Sequence, residues 1–594
     1  ELHSQGDTKE ASKYYELFLK NKFNDPNVFS NYGIICKENG QLNKAINLYK
    51  KAIEIEPKNS DFHSNLGNAY KENREINQAK LEFEKAIKYN NNSDTAHYNL
   101  GTVFVELKEY SKAAKYFHNA ITINPSLIQA YLNLGSILKE QKQYHEAIKV
   151  NEKLIKLKPS MEEAYYNMGN LLNLIGENKK AESALKKAIK INPNFTKAYS
   201  NLSNILLKQG HLIEAEKNIR KSIELNPKNP NLYYSLGNIL LKKGSLKKAK
   251  FSVLKAIDLK SDLHQAYNTL CIILKNLGEL KEAEMFGRKA TSMDPNNGIY
   301  LNSLGVALIN QGKNNEAEVI FKKALLKDRK LIDIPWNLHS LSNDIYEAER
   351  WVKECLKIDK NNNKAKITLS GIQLHLGNKE LFNQLLQTNL ESDPRLRSIK
   401  WISKLTESPK LFFNRWVLFD YFIQKSQKDR PFYEFGVWHG TSFNYLLKHF
   451  KKGYGFDTFN GLPTAWGSEK KGSYSAEGHI PNIDGGVFIE GEFAEVLPSF
   501  FSKPREKASI INFDADLYSS TICALENSKS IIDEKTILIF DEFLINENWE
   551  NDEHKAMIDF CHNNNMNFEV LGISYFSKQV AVKLVDMNIK ESNN

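Results

Sequence analysis

Two short acidic runs stand near the end of this 594-residue chain, Asp514-Ala-Asp516 and Asp541-Glu542. Each closes an apolar, β-branched stretch of strand length, Ser509–Asp514 and Thr536–Asp541. Carboxylates gathered at neighbouring strand ends repel one another unless a cation lies among them. With no His or Cys in the set, oxygen-only ligation points to Mg2+ or a similar hard ion. Acidic caps of the following helices account for one carboxylate per turn and account poorly for pairs. A third run, Glu434-Phe-Gly436-Val-Trp-His-Gly440-Thr-Ser442, also ends a strand and passes at once into a helix. Glycines at such a turn let a cofactor approach the backbone. The next strand ends in Asp457, where an acidic group suits a ribose diol. The spacing Glu-x-Gly-x-x-x-Gly differs from the dinucleotide fingerprint.

The elements that must position these residues are short strands alternating with helical stretches. Phe432–Val437, Tyr454–Asp457, Val487–Glu490, Ser509–Asp514, Thr536–Asp541, Phe568–Ile573 and Gln579–Val585 read as strands of a parallel sheet with helices on both faces. In a doubly wound sheet the first, fourth and fifth strands lie side by side, so their carboxyl ends share one crevice.

The rest of the chain follows a different rule. Ala11, Ala45, Ala79, Ala113, Ala147, Ala181, Ala215, Ala249, Ala283 and Ala317 are evenly spaced, and such a register marks a stacked solenoid. Asn31, Asn65, Asn99, Asn133, Asn167 and Asn201 run in step, as do Gly33, Gly67, Gly101, Gly135 and Gly169. Cys271 takes a Gly position as a small packing residue. Each unit reads as two amphipathic helices, with small residues where helices cross closely. The pattern resembles the tetratricopeptide repeat over residues 1–405, with the last units degenerate. The opening at Glu1, inside a first helix, leads to the expectation that the natural polypeptide extends upstream.

In this repeat type the first helix lines the concave face, where an amide can hold an extended backbone without reading its sequence. At these positions the chain resembles the peptide-binding solenoid of the O-linked N-acetylglucosamine transferases. Asn65, Asn99, Asn133, Asn167 and Asn201 are therefore candidate contacts for a protein or glycan partner. The plain alternative is that Asn serves repeat packing.

The stretches 434–442, 455–463 (Gly-Phe-Asp-Thr-Phe-Asn-Gly-Leu-Pro), 514–521 (Asp-Ala-Asp-Leu-Tyr-Ser-Ser-Thr) and 540–543 (Phe-Asp-Glu-Phe) together resemble the macrocin O-methyltransferase family. The resemblance covers roughly 430–585. It implies a class I S-adenosylmethionine-dependent methyltransferase domain over 429–594, joined to the solenoid by a linking or docking helix at 406–428 near Trp401 and Trp416. It implies Mg2+ on Asp514, Asp541 and Glu542, Asp516 as general base, and a cofactor bound by Glu434, Gly436, Gly440, Ser442 and Asp457. The family has Asp-Asp-Tyr where this chain has Asp541-Glu542-Phe543, and the longer Glu alters metal geometry. His439 and His479 read as cofactor or substrate contacts, and Thr464–Phe488 as a mobile lid.

Composition bounds the partners. Residues 409–594 hold 19 Lys/Arg against 26 Asp/Glu, a net of −7; with +10 for the whole chain, residues 1–408 carry +17. A basic solenoid attracts an acidic partner such as an anionic glycan. No Arg cluster or nucleic-acid motif accompanies it, so no nucleic acid is expected. Five scattered cysteines without metal-ligand spacing fit a reducing, cytoplasmic setting. No apolar run is long enough to span a membrane. The expectation is a cytoplasmic Mg2+-dependent O-methyltransferase acting on a sugar or glycan hydroxyl. The alternatives are an interaction scaffold with an inactive domain, or a methyltransferase acting on a polypeptide held by the solenoid.

Overall fold

The computed structural model describes residues 8–21, 23–465, 471–473, 475–476, 478–575 and 577–586. Glu1 and parts of the expected lid at Thr464–Phe488 lie outside the described residues. The chain forms two compact units, Glu1–Ser245 and Leu246–Asn594.

In the first unit, helices of 13 and 14 residues alternate, as in Ser60–Glu72 and Ile76–Tyr89. Starts are set by caps: Asp25 accepts from the N–H groups of Asn27 and Val28 ahead of Pro26, and Asn59 accepts from Asp61 and Phe62. The turn inside each pair places one residue at positive φ. It is Gly40, then Arg74, Lys108 and Lys142, then Gly176 and Gly210. The Ala ladder is fully buried at the crossings from Ala45 to Ala215.

At Gly33, Gly67 and Gly101 a ring from the second helix lies over the glycine, while Gly135 faces Asn151 and Gly169 faces Leu185. A Cβ at Gly67 would stand 2.7 Å from the Phe83 ring, and one at Gly101 2.8 Å from Phe117. The pairing reverses once in the second unit. Where the small position holds Cys271, the facing position is Gly287 in place of an aromatic, and a Cβ there would meet the Cys271 sulfur at 3.1 Å. Volume is conserved across the contact.

The second unit begins with the helix Leu246–Leu259 and continues the pairs to Pro394–Ile402, with one short first helix at Asp333–Ser340. It then forms one eight-stranded sheet: β1 Lys410–Phe412, β2 Phe432–Phe435, β3 Gly453–Asp457, β4 Gly486–Glu490, β5 Ile510–Phe513, β6 Ile537–Phe540, β7 Met566–Ser574 and β8 Val580–Asp586. The spatial order is β1-β7-β8-β6-β5-β2-β3-β4. β2 to β6 run parallel to their neighbours among themselves, while β8 is antiparallel to both β6 and β7. β1 pairs parallel with β7 inside the segment read as a linking helix. Three residues are too few to show alternation.

β2, β5 and β6 are buried throughout, as expected of strands covered on both faces. Four phenylalanines stack across them at one level. Phe435 lies 5.0 Å from Phe456 and 5.3 Å from Phe513, and Phe513 lies 4.6 Å from Phe540. The residue after each is Gly436, Asp457, Asp514 or Asp541. Backbone bonds keep three of these level, from Gly436 N to Phe456 O, Asp514 N to Phe435 O and Asp541 N to Phe513 O. The aromatic row thus sets the height at which the chemistry-bearing residues leave the sheet. The same core takes in Phe382, Leu396 and Ile399 from the last helices, so these helices and the sheet share one interior.

Candidate functional site

The parallel strands reverse their winding between β2 and β5, and open sheets of this kind bind ligands at the carboxyl ends beside that reversal. A cavity of about 530 Å3 lies there, lined by Gly436, Asp457, Asp514, Asp516, Asp541 and Glu542 among others. The structure therefore gathers six of the sequence-derived residues on one wall. Glu434, Gly440 and Ser442 do not line it.

Non-glycine residues at positive φ follow five of the strands: Trp438 after β2, Phe459 after β3, Asp516 after β5, Ile545 after β6 and Lys578 after β7. Ile545, a β-branched residue at φ 75°, is the most unfavourable of them. Strain of this kind persists where the surroundings over-determine it, and it clusters at functional sites. Gly436 must be glycine on two counts. Its φ is 90°, and a Cβ would lie 1.9 Å from the carbonyl oxygen of Asp514.

Asp457 is occupied by its own fold. Oδ2 accepts from the Val437 and Trp438 N–H groups at 2.7 and 2.8 Å, and Oδ1 accepts from Phe459 N–H at 2.7 Å. Its carboxylate holds the glycine loop in shape. Glu434 is wholly buried beneath that loop, where Oε1 accepts from Ser442 Oγ at 2.5 Å and Asn512 Nδ2 at 2.8 Å. These two expected cofactor contacts thus position the start of the helix Thr441–Leu447 from below. Gly440 caps that helix at φ 72°.

The carboxylate cluster has protein counter-charges. Arg415 Nη2 donates to Asp541 Oδ2 at 2.5 Å, and Gln579 Nε2 donates to Asp541 Oδ1 at 2.5 Å. Lys578 Nζ donates to Glu542 Oε2 at 2.7 Å and to Asn546 Oδ1 at 2.7 Å. Burial works against the Arg415 charge, but Asp541, Asp514 and Glu542 prevail and hold its pKa above the ordinary value. Asp514 is pushed well above the usual carboxylate range by burial and by Asp541 and Asp516. Asp516 moves the same way through burial, Glu542 and Asp541. A further carboxylate, Glu553, is fully buried and accepts the Glu542 N–H at 3.0 Å.

This arrangement sets protein cations where the sequence reading placed a metal. Among the described residues no group of three or more His, Cys, Asp or Glu could hold a metal ion. Asp541 is bonded on both oxygens and Glu542 is bonded to Lys578, so both carboxylates already have protein partners. Arg415 and Lys578 answer part of the repulsion that called for a cation, and Asp514 and Asp516 still carry the rest. Sequence reasoning missed both, along with Gln579 and Glu553. Arg415 lay in the segment read as a linker, and Lys578 and Gln579 border the last strand. No spacing signal ties them to the acidic runs.

Glu434 has its pKa pushed up to about 8, chiefly by burial, with the Ser442 and Asn512 hydrogen bonds opposing. The folded carboxyl keeps its proton where the unfolded one has lost it, so stability falls as pH rises toward about 8. His339 and His554, pushed down to about 4 by burial, act oppositely below about 6.5. Stability of the second unit should therefore decline between about pH 6.5 and 8, by up to about 1.4 kcal/mol per pH unit for each proton retained. Glu434→Gln should reduce that slope. Urea unfolding of the full chain across this range checks it, and an equal slope in both forms would clear Glu434 of the effect.

The Asn ladder is partly spent on the repeats themselves. Asn65 Nδ2 donates to Ser30 Oγ at 3.1 Å, Asn133 to Tyr98 OH at 3.2 Å, and Asn201 to Tyr166 OH at 3.2 Å and Asn170 Oδ1 at 2.6 Å. The Ser and Tyr partners stand one repeat back, on the preceding first helix. Asn99 and Asn167 are half-buried at the same position. The ladder stitches neighbouring repeats with its amide nitrogens.

Among the described residues, no helix is long and apolar enough to cross a membrane. The family described as Cilia and flagella-associated protein 70 C-terminal domain matches residues 92–298. Three tetratricopeptide repeat families match residues 33–73, 60–93 and 299–330. No curated protein matches the chain. Similar solved structures include YrrB, described as a TPR protein with an unusual peptide-binding site. It is 26% identical over 31% of this chain and 95% of that one, with a TM-score of 0.28. The APC/C hetero-tetramer Cut9-Hcn1 is 13% identical over 68% and 94%, with a TM-score of 0.36. Yeast Tom70 is 16% identical over 65% and 97%, with a TM-score of 0.35. The family matches and the stacked helix pairs agree: the chain carries a tetratricopeptide repeat array.

Proposed function

We propose that the sheet-bearing part of the second unit is an S-adenosylmethionine-dependent O-methyltransferase, and that the repeats bind a partner or the carrier of its substrate. The observation that carries this reading is the convergence of Gly436, Asp457, Asp514 and Asp516 on one cavity at the winding reversal. The strained backbone of Asp516 supports it. The parallel order β4-β3-β2-β5-β6 is the doubly wound order in which nucleotides bind at that point.

When bound, S-adenosylmethionine supplies an electrophilic methyl on a sulfonium. Gly436 gives it room against the backbone, and Asp457 keeps the Val437–Trp438 turn in place. Asp516 takes the proton from the acceptor hydroxyl as its oxygen bonds to the methyl carbon, the electron pair of the broken C–S bond staying on sulfur. A raised Asp516 pKa makes it a better base once ionised. No step is routed through a metal. A hard ion on Asp514, Asp541 and Glu542 requires Asp541 and Glu542 to leave Arg415 and Lys578, and assays in chelator, with Mg2+ then restored, read whether they do.

Calorimetry of the full chain with S-adenosylmethionine and with its demethylated product tests the reading. Absence of heat with both would remove it. Asp516→Asn keeps the shape and removes the base, so turnover on a sugar acceptor should fall at least ~100-fold with cofactor affinity unchanged. Full activity in that variant would refute the assigned base. The second reading, a scaffold with an inactive domain, draws on the pairing of Asp541 and Glu542 with Arg415 and Lys578. It predicts cofactor binding without turnover.

A further inference from the structure

A second cavity, of about 400 Å3, meets the first at Arg415, Trp438, Asp514 and Glu542, which line both. Part of its wall comes from the sheet side, including Trp416, Ser442 and Lys578. The rest comes from the repeats of the second unit: Lys275 on the helix His264–Asn276, Gly278 just after it, Asn310 closing the helix Gly298–Asn310, and Asn337 on the helix Asp333–Ser340.

Two contacts fix these repeats against the glycine loop and its flanking helix. Trp416 donates Nε1–H to the Ile309 carbonyl at 2.6 Å, and the Tyr445 ring lies 4.4 Å from the Trp416 ring and over Gly312. His439, inside the glycine loop, fills the space where a Gly278 side chain would start, 2.2 Å from an added Cβ. The cavity is thus a built enclosure with walls from two kinds of structure.

Its polar equipment is specific. Lys275 occupies a repeat position that in the first unit holds Lys37, bonded to Glu72, and Lys71, bonded to Thr102. Among the described residues Lys275 has no ion-pair partner, and burial lowers its pKa. An enclosed ammonium without a counter-charge gains from an anion brought by a ligand. Asn310 and Asn337 spend their amide nitrogens on the Val306 carbonyl and Asn302 Oδ1, which leaves their amide oxygens for hydroxyl donors. Trp416 and Trp438 add aromatic surface. Lys275, two amide acceptors and two indoles, beside Arg415, Lys578, Asp514 and Glu542 where Lys578 already pairs Glu542, leave a net positive wall that suits a small polyhydroxylated anion.

We propose that the second cavity is the acceptor site and takes a monosaccharide-sized hydroxylated anion, a sugar bearing a carboxylate or a phosphate, with Lys275 pairing its charge. Its role as acceptor site rests on the methyl-transfer reading above; the anion specificity does not. A hydroxyl of such a ligand would enter the first cavity past Asp514, which lines both, to reach Asp516, which lines the first.

Titration calorimetry of the full chain with D-glucuronate, D-glucose 6-phosphate and D-glucose, with and without S-adenosylhomocysteine, tests this. Binding of glucuronate supports a carboxylate source and binding of glucose 6-phosphate a phosphate source, with glucose at least tenfold weaker in either case. Lys275→Gln should weaken the anion at least tenfold and leave S-adenosylhomocysteine affinity unchanged. No anion binding, glucose binding equally well, or an unaltered affinity in Lys275→Gln would each overturn the proposal. If S-adenosylhomocysteine fails to bind, the methyl-transfer reading falls, and the titration without it still decides the anion site.

Discussion

Arg415→Met should lower the stability of the second unit by about 3–5 kcal/mol, the cost of leaving a buried charge without its partner. Asp541 is 5% exposed and takes its shortest charged contact from Arg415. Asp514 and Glu542 stand close enough to hold the guanidinium charged as well. Removing it leaves three carboxylates facing one another with Lys578 as the remaining neighbouring cation named above. Methionine keeps much of the volume, so the loss reads charge more than packing. The measurement is favoured by the chain itself. All seven tryptophans lie after residue 330, so tryptophan fluorescence in urea follows the second unit alone. Adding Asp541→Asn to Arg415→Met should recover a large part of the loss, because both halves of the pair are then gone. A midpoint within error of the parent would show that the cluster does not depend on Arg415.

Asp457→Ala should be nearly as damaging, for another reason. It strips acceptors from three backbone N–H groups, those of Val437, Trp438 and Phe459, at a cost of about 3 kcal/mol or more. Trp438 and Phe459 sit at positive φ, so the loop is already strained and relaxes once released. Cofactor binding should disappear together with hydrogen-exchange protection at these three amides. If Asp457 acted only on a ribose, binding would weaken while protection and stability stayed at parent values. That outcome would return Asp457 to the role its position at the strand end first implied.

The repeats were legible because their rule is local and repeated: a small residue where a side chain of the second helix lies close, and an apolar stripe at helical spacing. The sheet was legible for the same reason, since β2, β5 and β6 are short apolar runs closed by Gly or Asp. The row Phe435, Phe456, Phe513 and Phe540 was present in the sequence as Phe before each site residue, a signal that strand ends share one level. What stayed hidden was long-range pairing. Arg415 meets Asp541 across 126 residues, and Lys578 meets Glu542 across 36. Charge repulsion told of a cation but not its source, and Arg415 and Lys578 supply two that no spacing announced. The Asn ladder is ambiguous in another way, because a regular amide serves packing and binding equally well in sequence.

The Trp416–Ile309 bond and the seating of His439 against Gly278 divide the repeats by what they can tolerate. Every residue lining the two cavities belongs to the span from Lys275 to Lys578. Evolution can therefore add, delete or resurface units near the amino terminus and change what the chain holds without moving any residue that lines either cavity. Units from Lys275 onward have no such freedom, since changing their count removes a wall. Variation in repeat number among related chains should fall on the amino-terminal side.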